Sequence, residues 1–440
     1  MRLGIYHAGL VLAAMAIFFT NLPDYVHHQN LAETLSVPKN WVIAFCLLSI
    51  PIVTRRQSFE PALRSPITLW CLGYVFVTVL WQFNSSQSEE TWRELRLRVL
   101  SVVELLSVFM VLAVPAAIKF GRQCLVVAVL FGVVLNLYEV FYPSTFSLVS
   151  GRSAGLYMNP NLSGQALVLG MVLSMNILTG FWRMPFILLT GVGAFATFSR
   201  ASILGWLIAV VGMLMCDKVR LREMLSSLGF FLVVGALVII PQLDQWLTTW
   251  ERTGTMNADV LERLEWLSNP FEVSDHSSWS RATVAREAWS KFTEASLFGI
   301  GTGSTHDMVI EPHNQYLALM VDHGIIGAII LPLLLFALAW NARGETRGTA
   351  FVFSATVLVL GVWTHSILRD EHSLVLFSLM AAMTFASRAV PAASFRPGMA
   401  SERICLLDQK GSRSDFKTRS VMLKQERVTP TRKSPHPTAN

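Results

Sequence analysis

A chain of 440 residues that is 53% hydrophobic and 15% charged, with a mean hydropathy of +0.49, is too apolar for a soluble globular domain and matches repeated membrane spans. The formal net charge is +6, and no nucleic-acid partner is expected. The cysteines, Cys46, Cys71, Cys124, Cys216 and Cys405, show no zinc or disulfide spacing, which argues against a metal cluster or a disulfide framework.

A span needs about 20 mostly apolar residues to cross the hydrocarbon core. Mostly apolar runs of that kind, roughly twelve in all, fall near 4–20, 40–54, 66–83, 99–118, 123–142, 161–181, 184–198, 201–216, 224–243, 317–340, 349–366 and 374–388. The second, seventh, eighth and twelfth are short. The first follows only Arg2 and lacks a small-residue cleavage signature, so it reads as a retained helix rather than a signal peptide.

Short cytoplasmic loops retain Lys and Arg. An N-terminus inside places Arg55, Arg56, Arg64, Lys119, Arg122, Arg183, Lys218, Arg220, Arg222, Arg343 and Arg347 on the cytoplasmic side, and an even number of spans returns the C-terminus there. Arg93, Arg96 and Arg98, accompanied by Glu89, Glu90 and Glu94, then fall outside. That loop is either a topology error or a positively charged external site. The expected organisation is N-terminal membrane helices over 1–243, one large external loop over 244–314, C-terminal membrane helices over 315–388 and a basic, disordered tail over 389–440. The stretch from Arg388 to the end holds eleven basic residues, which would draw it to anionic membrane lipid.

Polar residues at the expected external ends of the spans are candidates for chemistry. Arg152 precedes Asn159-Pro160-Asn161, where a proline opening a helix is explained by capping, so Arg152 and Asn161 rank second. Arg200, between Ser199 and Ala201, divides two apolar runs. Arginine at such a depth is costly unless paired or bound to an anion, the plainer alternative being a side chain that snorkels to the interface.

The richest polar stretch runs from Ser280 to Gly327. Ala282, Ala285, Trp289, Phe292 and Leu297 recur at helical spacing, which predicts an amphipathic helix against the membrane domain with Arg281 and Arg286 projecting near one another. A solvated helix with ordinary charges is the bland reading. The run Gly299 to Gly303 resembles a phosphate-binding loop only superficially, because the βαβ context is missing. It is either a plain turn or a turn whose amides approach an anion. His313, beside Asn314, is a residue that can accept a proton near neutral pH, or else it caps the helix that follows. Asp322 and His323 are adjacent and do not share a helix face, so His323 reads as structural.

Taken in order, Asn159-Pro160-Asn161, Ser199-Arg200, Arg281 ahead of Gly299 to Gly303, His313-Asn314 and Gly324 to Gly327 resemble the O-antigen ligase and polymerase superfamily over roughly 150–340. The resemblance implies an all-α polytopic membrane protein, GT-C-like, with about 12 transmembrane helices and one large periplasmic loop of short helices. It implies a bacterial inner-membrane glycosyltransferase that needs no metal or other cofactor and works on the periplasmic face. The donor would be a glycan on undecaprenyl diphosphate. Arg200 and Arg281 would hold the diphosphate, with Arg286 beside them, and His313 would orient or deprotonate the acceptor hydroxyl. Asn314, Asn161 and Arg152 are secondary candidates. The aromatic residue usual four positions after the family arginine is Ala285 here, with Trp289 a turn later.

The physical case agrees, because charge grows on the leaving diphosphate and fixed guanidinium groups stabilise it there. No acidic metal-binding cluster is recognisable in the external loops, although Asp275, Asp307 and Glu311 stand there. Three acceptors fit: lipid A-core sugar for a ligase, the growing glycan for a polymerase, and protein Ser or Thr for an oligosaccharyltransferase. One large loop before the histidine favours the ligase. A transporter or flippase is the reading from another class, but the candidates cluster at one face and no repeat joins the halves.

Overall fold

The computed structural model describes residues 3–30, 37–239 and 276–388, and every regular element among them is a helix. The expectations for 244–275, the tail and Cys405 lie outside the described residues. In chain order the helices are α1 (Ile5–Ala13), continued by a wider turn at Ala14–Phe18, α2 (Leu22–His28), α3 (Pro38–Val53), α4 (Arg56–Arg64), α5 (Pro66–Gln82) and α6 (Glu89–Leu112). Then follow α7 (Pro115–Phe141), α8 (Pro160–Ser174), α9 (Gly180–Ala196), α10 (Arg200–Met215), α11 (Leu221–Ile239) and α12 (His276–Glu294). The last four are α13 (Gln315–His323), α14 (Ile325–Ala339), α15 (Glu345–Leu360) and α16 (Glu371–Arg388).

Local chemistry sets many of these boundaries. Proline opens α3, α5, α7 and α8, where its fixed φ suits the first turn and its missing N–H costs nothing. Ser88, Asn159, Ser199 and Asn314 cap α6, α8, α10 and α13 with side-chain oxygens. The apolar runs expected at 99–118 and 123–142 are divided elsewhere: α6 ends at Leu112, Val114 is extended before Pro115, and α7 runs from there. The run at 317–340 is broken by Gly324, whose φ of 63° and ψ of −147° suit glycine alone.

Among the described residues Pro115–Phe141 is long and apolar enough to cross a membrane by itself. Two bent pairs, α1 with α2 at 51° and α3 with α4 at 105°, raise that number to 3 if each is one span. Helices α5, α9, α10 and α14 are apolar but shorter.

Two helices form the centre. Ser163–Ser174 of α8 and His372–Thr384 of α16 are buried throughout, as helices apolar on all sides must be. Glycines let neighbours come close: a Cβ on Gly170 would lie 2.7 Å from Val129 and 2.8 Å from Phe19, and one on Gly193 would lie 2.8 Å from Val133. The outer surface stays apolar, with Leu69, Phe76, Val134, Val211, Leu333 and Phe336 exposed.

The ends of the bundle differ. At one, Arg122 donates to Leu173 O, Arg183 to Lys218 O, and Lys218 to Glu345 O. At the other lie the starts of α6, α10 and α13 and the end of α15. Helices α10 and α15 run antiparallel, Gly212 meeting Val352 and Gly205 meeting Leu360.

Replacing Gly324 by Ala should lower stability by about 1–3 kcal/mol, because the conformation is strained for an L-residue and the new Cβ would lie 2.4 Å from Leu297 O. Thermal unfolding in detergent, with Gly180→Ala as the control that meets nothing within 4 Å, checks this; equal melting temperatures would contradict it.

Candidate functional site

The polar end is organised around Arg98 of α6. Its Nε donates to Glu94 one turn earlier at 2.7 Å, one Nη bonds Asp322 of α13, and the other lies 2.7 Å from His323 Nε2. All four side chains are buried. Adjacent Asp322 and His323 thus reach one guanidinium, because Arg98 approaches the end of α13 from the side, so the argument from helix faces fails for this pair. Arg98 is likewise no topology marker: its charge is consumed inside the bundle.

Asp322 also holds the glycine run. Its carboxylate accepts from Gly303 N at 3.2 Å, Ser304 Oγ at 3.2 Å and Thr305 N at 3.3 Å, while Ile300 N and Gly301 N donate to the carbonyls of Val321 and Asp322. The anion those amides approach is therefore the protein's own. The glycines are required sterically, since a Cβ on Gly301 would lie 2.5 Å from the Ser85 backbone and one on Gly299 would lie 2.5 Å from Asp322 O.

From Glu94 a chain of contacts leads outward. Its second oxygen meets Arg369 and, at 3.2 Å, His306 Nε2. His306 Nδ1 lies 2.6 Å from Glu311 Oε1, and Glu311 Oε2 lies 3.1 Å from His365 Nε2. The rings of His365 and His313 are 5.2 Å apart between centroids. Hydrogen bonds to Glu311 and Glu94 push His306 up to about 10, so it is an imidazolium at neutral pH, and the histidines hold Glu311 well below the usual carboxylate range. His313 is lowered, by burial first and then by the charges of His365 and Arg281, and is a neutral acceptor at pH 7.

The charge of Arg281 thus reaches His313, although α12 and α13 are separated by the glycine loop. The buried face of α12 shares Phe292 with the expected one but is otherwise turned from it. Val284 and Ala288 pack with Phe292 on Met308 and Val321, while Ala282, Trp289 and Leu297 are exposed. Small Ala288 lets the helix approach α13, and the aromatic ring of Trp289 falls one residue out of register. Arg286 is exposed and lies about 140° around the helix from Arg281, so the two do not project together.

Asn314 Oδ1 accepts from Tyr316 N at 3.0 Å and Leu317 N at 3.1 Å, so capping falls to Asn314 and not to His313. Asn159, not Asn161, caps α8. Asn161 instead accepts from Arg152 at 3.1 Å, and Arg152 Nε donates to Thr197 O at 3.0 Å, bracing the turn that opens α10 at Arg200. Arg200 lies five residues before Gly205 and so at the same end as Gly361, whose carbonyl accepts from Gln315 N. Of this network, His306, His365 and Arg369 were not singled out in the sequence, Glu311 stood only among the loop carboxylates, and Arg98 and Glu94 only within a charged loop of uncertain side. The available signal was Arg98 beside Glu94 at i, i+4 spacing in a segment where the charge rule predicts few arginines. Among the described residues no group of three or more His, Cys, Asp or Glu is arranged to hold a metal ion.

Residues 185–332 match the family model of the O-antigen ligases. The matched segment carries Arg200, Arg281, the glycine loop, His313 and Asp322, and leaves out Glu94, Arg98, His365 and Arg369. No curated protein matches the chain.

Arg98→Met should cost about 3–5 kcal/mol, because buried carboxylates lose their partner, whereas Arg93→Ala, from an exposed pair with Glu90, should be near neutral; melting temperatures in detergent compare them. The raised His306 contributes stability that is complete below its ordinary value of about 6.5 and is lost as pH rises through about 10. Melting temperature over that window should fall further in the parent protein than in His306→Gln.

Proposed function

We propose that this chain is a polytopic inner-membrane glycosyltransferase that moves a glycan from undecaprenyl diphosphate to lipid A-core, as an O-antigen ligase does, without a metal or cofactor. The observation that carries the reading is that the charge of Arg281, on the helix packed against α13, reaches His313 at one end of an apolar-surfaced bundle, inside the segment that matches the family. The reading keeps about 12 spans, both termini in the cytoplasm and the site facing the periplasm. In its support, basic residues gather at the opposite end.

In this mechanism the acceptor oxygen attacks the anomeric carbon and passes its proton to the neutral His313. The bond to the diphosphate breaks with its electron pair moving to the phosphate oxygen. Arg281 and Arg200 stabilise that charge more than the ground state, and a planar guanidinium suits phosphate oxygens. Arg152 and Asn161 act by holding the Arg200 turn, and Asn314 by capping the helix behind His313. Arg286 is left out of the diphosphate site because it leaves α12 in another direction.

The test is transfer by the full chain in lipid nanodiscs, with a lipid-linked glycan donor, lipid A-core, a second donor chain and EDTA. Glycosylated lipid A-core is the expected product. Arg281→Ala should lower kcat by about 10²–10³ and His313→Ala by about 10²–10⁴. Lengthened lipid-linked chains would make the protein a polymerase, transfer to protein Ser or Thr an oligosaccharyltransferase, and movement of intact donor without transfer a transporter. Full activity in both folded variants would overturn the site.

A further inference from the structure

Helices α5 and α14 stand side by side and leave an outward-facing groove of about 790 Å³ between them. Leu69, Gly73 and Val77 form one wall, and Ile329, Leu333 and Phe336 the other. Trp70 ties the walls together, donating to Ile330 O at 3.0 Å while its ring stacks on Tyr74. Gly73 keeps the space open. Gly170 and Gly193 each admit a neighbouring side chain, whereas a Cβ on Gly73 would meet nothing within 4 Å. An apolar cleft held open in this way calls for an apolar filling.

The two ends of the groove differ in charge. Nearer the proposed site it closes among Tyr74, Val77 and Ile326, and no basic residue lines it there. At the far end it is lined by Arg64, Ser65 and Trp340. Arg388, the last residue of α16, donates to Trp340 O, and its Nε is buried without a hydrogen-bond partner among the described residues. The charge of Arg343 reaches Arg388. Guanidinium groups held close to one another repel unless an anion stands beside them. The carboxylates of this end are engaged elsewhere: Glu60 is shared by Arg56 at 3.3 Å and Arg64 at 2.7 Å, and the charge of Glu345 reaches Arg122 and Lys218.

Arg64 also marks the level of the membrane surface. It ends α4, which is bent by 105° from α3 and exposes Phe59 and Leu63 together with Arg56 and Arg64, the make-up of a helix lying in the interface. From Pro66 to Val77 the wall rises roughly 17 Å, against about 15 Å of hydrocarbon in one leaflet. The chain of a lipid whose head lies at Arg64 therefore fits the length of the groove.

We propose that this groove binds one anionic diacyl phospholipid, with its phosphate among Arg64, Arg343 and Arg388 and an acyl chain lying along Gly73. The proposal rests on the bundle crossing a bilayer and not on the transfer reaction. A lipid of the opposite orientation, such as the glycan donor, would bring its diphosphate to Val77 and Ile326, where no cation of the groove receives it.

The experiment takes the full chain in detergent and titrates it with dioleoyl phosphatidylglycerol or dioleoyl phosphatidylcholine. The readout is melting temperature, which rises as a site present only in the folded state fills. Phosphatidylglycerol should act at a concentration at least about tenfold lower, since each arginine near a membrane surface contributes about fivefold in affinity for an anionic lipid. Arg64→Gln combined with Arg343→Gln should bring the two lipids to the same midpoint. Gly73→Leu, which fills open space, should remove the response to phosphatidylglycerol while its melting temperature without lipid stays at or above that of the parent. If Gly73→Leu shows no melting transition, Leu333→Trp, at an exposed position of the opposite wall, takes its place. An equal response of the parent to both lipids would reduce the groove to ordinary lipid-facing surface and overturn the proposal, as would a full phosphatidylglycerol response in the groove-filling variant. A response to undecaprenyl phosphate with none to phosphatidylglycerol would give the groove to the donor's chain and overturn it as well. Neither glycan donor nor acceptor is present, so the outcome is independent of whether the chain transfers a glycan.

Discussion

The arrangement of the polar end depends on one guanidinium buried among apolar helices. Taking Arg98 out of water is expensive, and the cost is offset only where every donor meets an acceptor. Glu94 supplies one from the same helix, and Asp322 and His323 supply the others from α13. Asp322 in turn takes the amides of the glycine loop, so the path of residues 299–305 is set by the same ion pair. Where that loop goes, His306 and Glu311 go. Through them the network reaches His365 and the neighbourhood of His313 and Arg281.

Electrostatic balance follows from this construction. Arg98, Arg369 and the His306 imidazolium face the carboxylates of Glu94, Glu311 and Asp322. A nearly neutral network can stay folded in a low-dielectric setting, while its fixed dipoles point to a chosen place without reorganising. His313 stands at the edge of that network, lowered by burial and by its cationic neighbours, which suits a group that has to accept a proton at neutral pH.

Backbone proximity matters as much as charge. Gly299, Gly301 and Gly324 let three chain segments touch at distances no Cβ allows, joining the α5–α6 turn, the glycine loop and the break between α13 and α14. The core helices use glycine in the same way, with Gly170 and Gly193 set against α7. Apolar attraction between helices is weak when the surroundings are themselves apolar, so close packing and buried polar contacts supply much of the cohesion.

Composition and apolar runs, read by themselves, determined the membrane character of this chain and the helices of its described residues, and the order of its motifs determined its likeness to the O-antigen ligase family, because hydropathy and local motifs survive in one dimension. The helix start at Pro160 was legible for the same reason, and an apolar run was expected from 66, where Pro66 opens α5, but the start at Pro115 was not, since the run expected at 99–118 passes through it. The face of α12 was not, since Val284 and Ala288 are chosen by what α13 presents to them and not by their own period. Nor was the break at Gly324 inside an apolar run, or the capping role of Asn314 in place of His313. Above all, Glu94, Arg98, His306, Glu311, His365 and Arg369 are spread over 276 residues of sequence and carry no common spacing. Only the tertiary structure brings them together, because a buried charge takes its partners from whichever helices pack against it, and that packing is a property of the whole bundle.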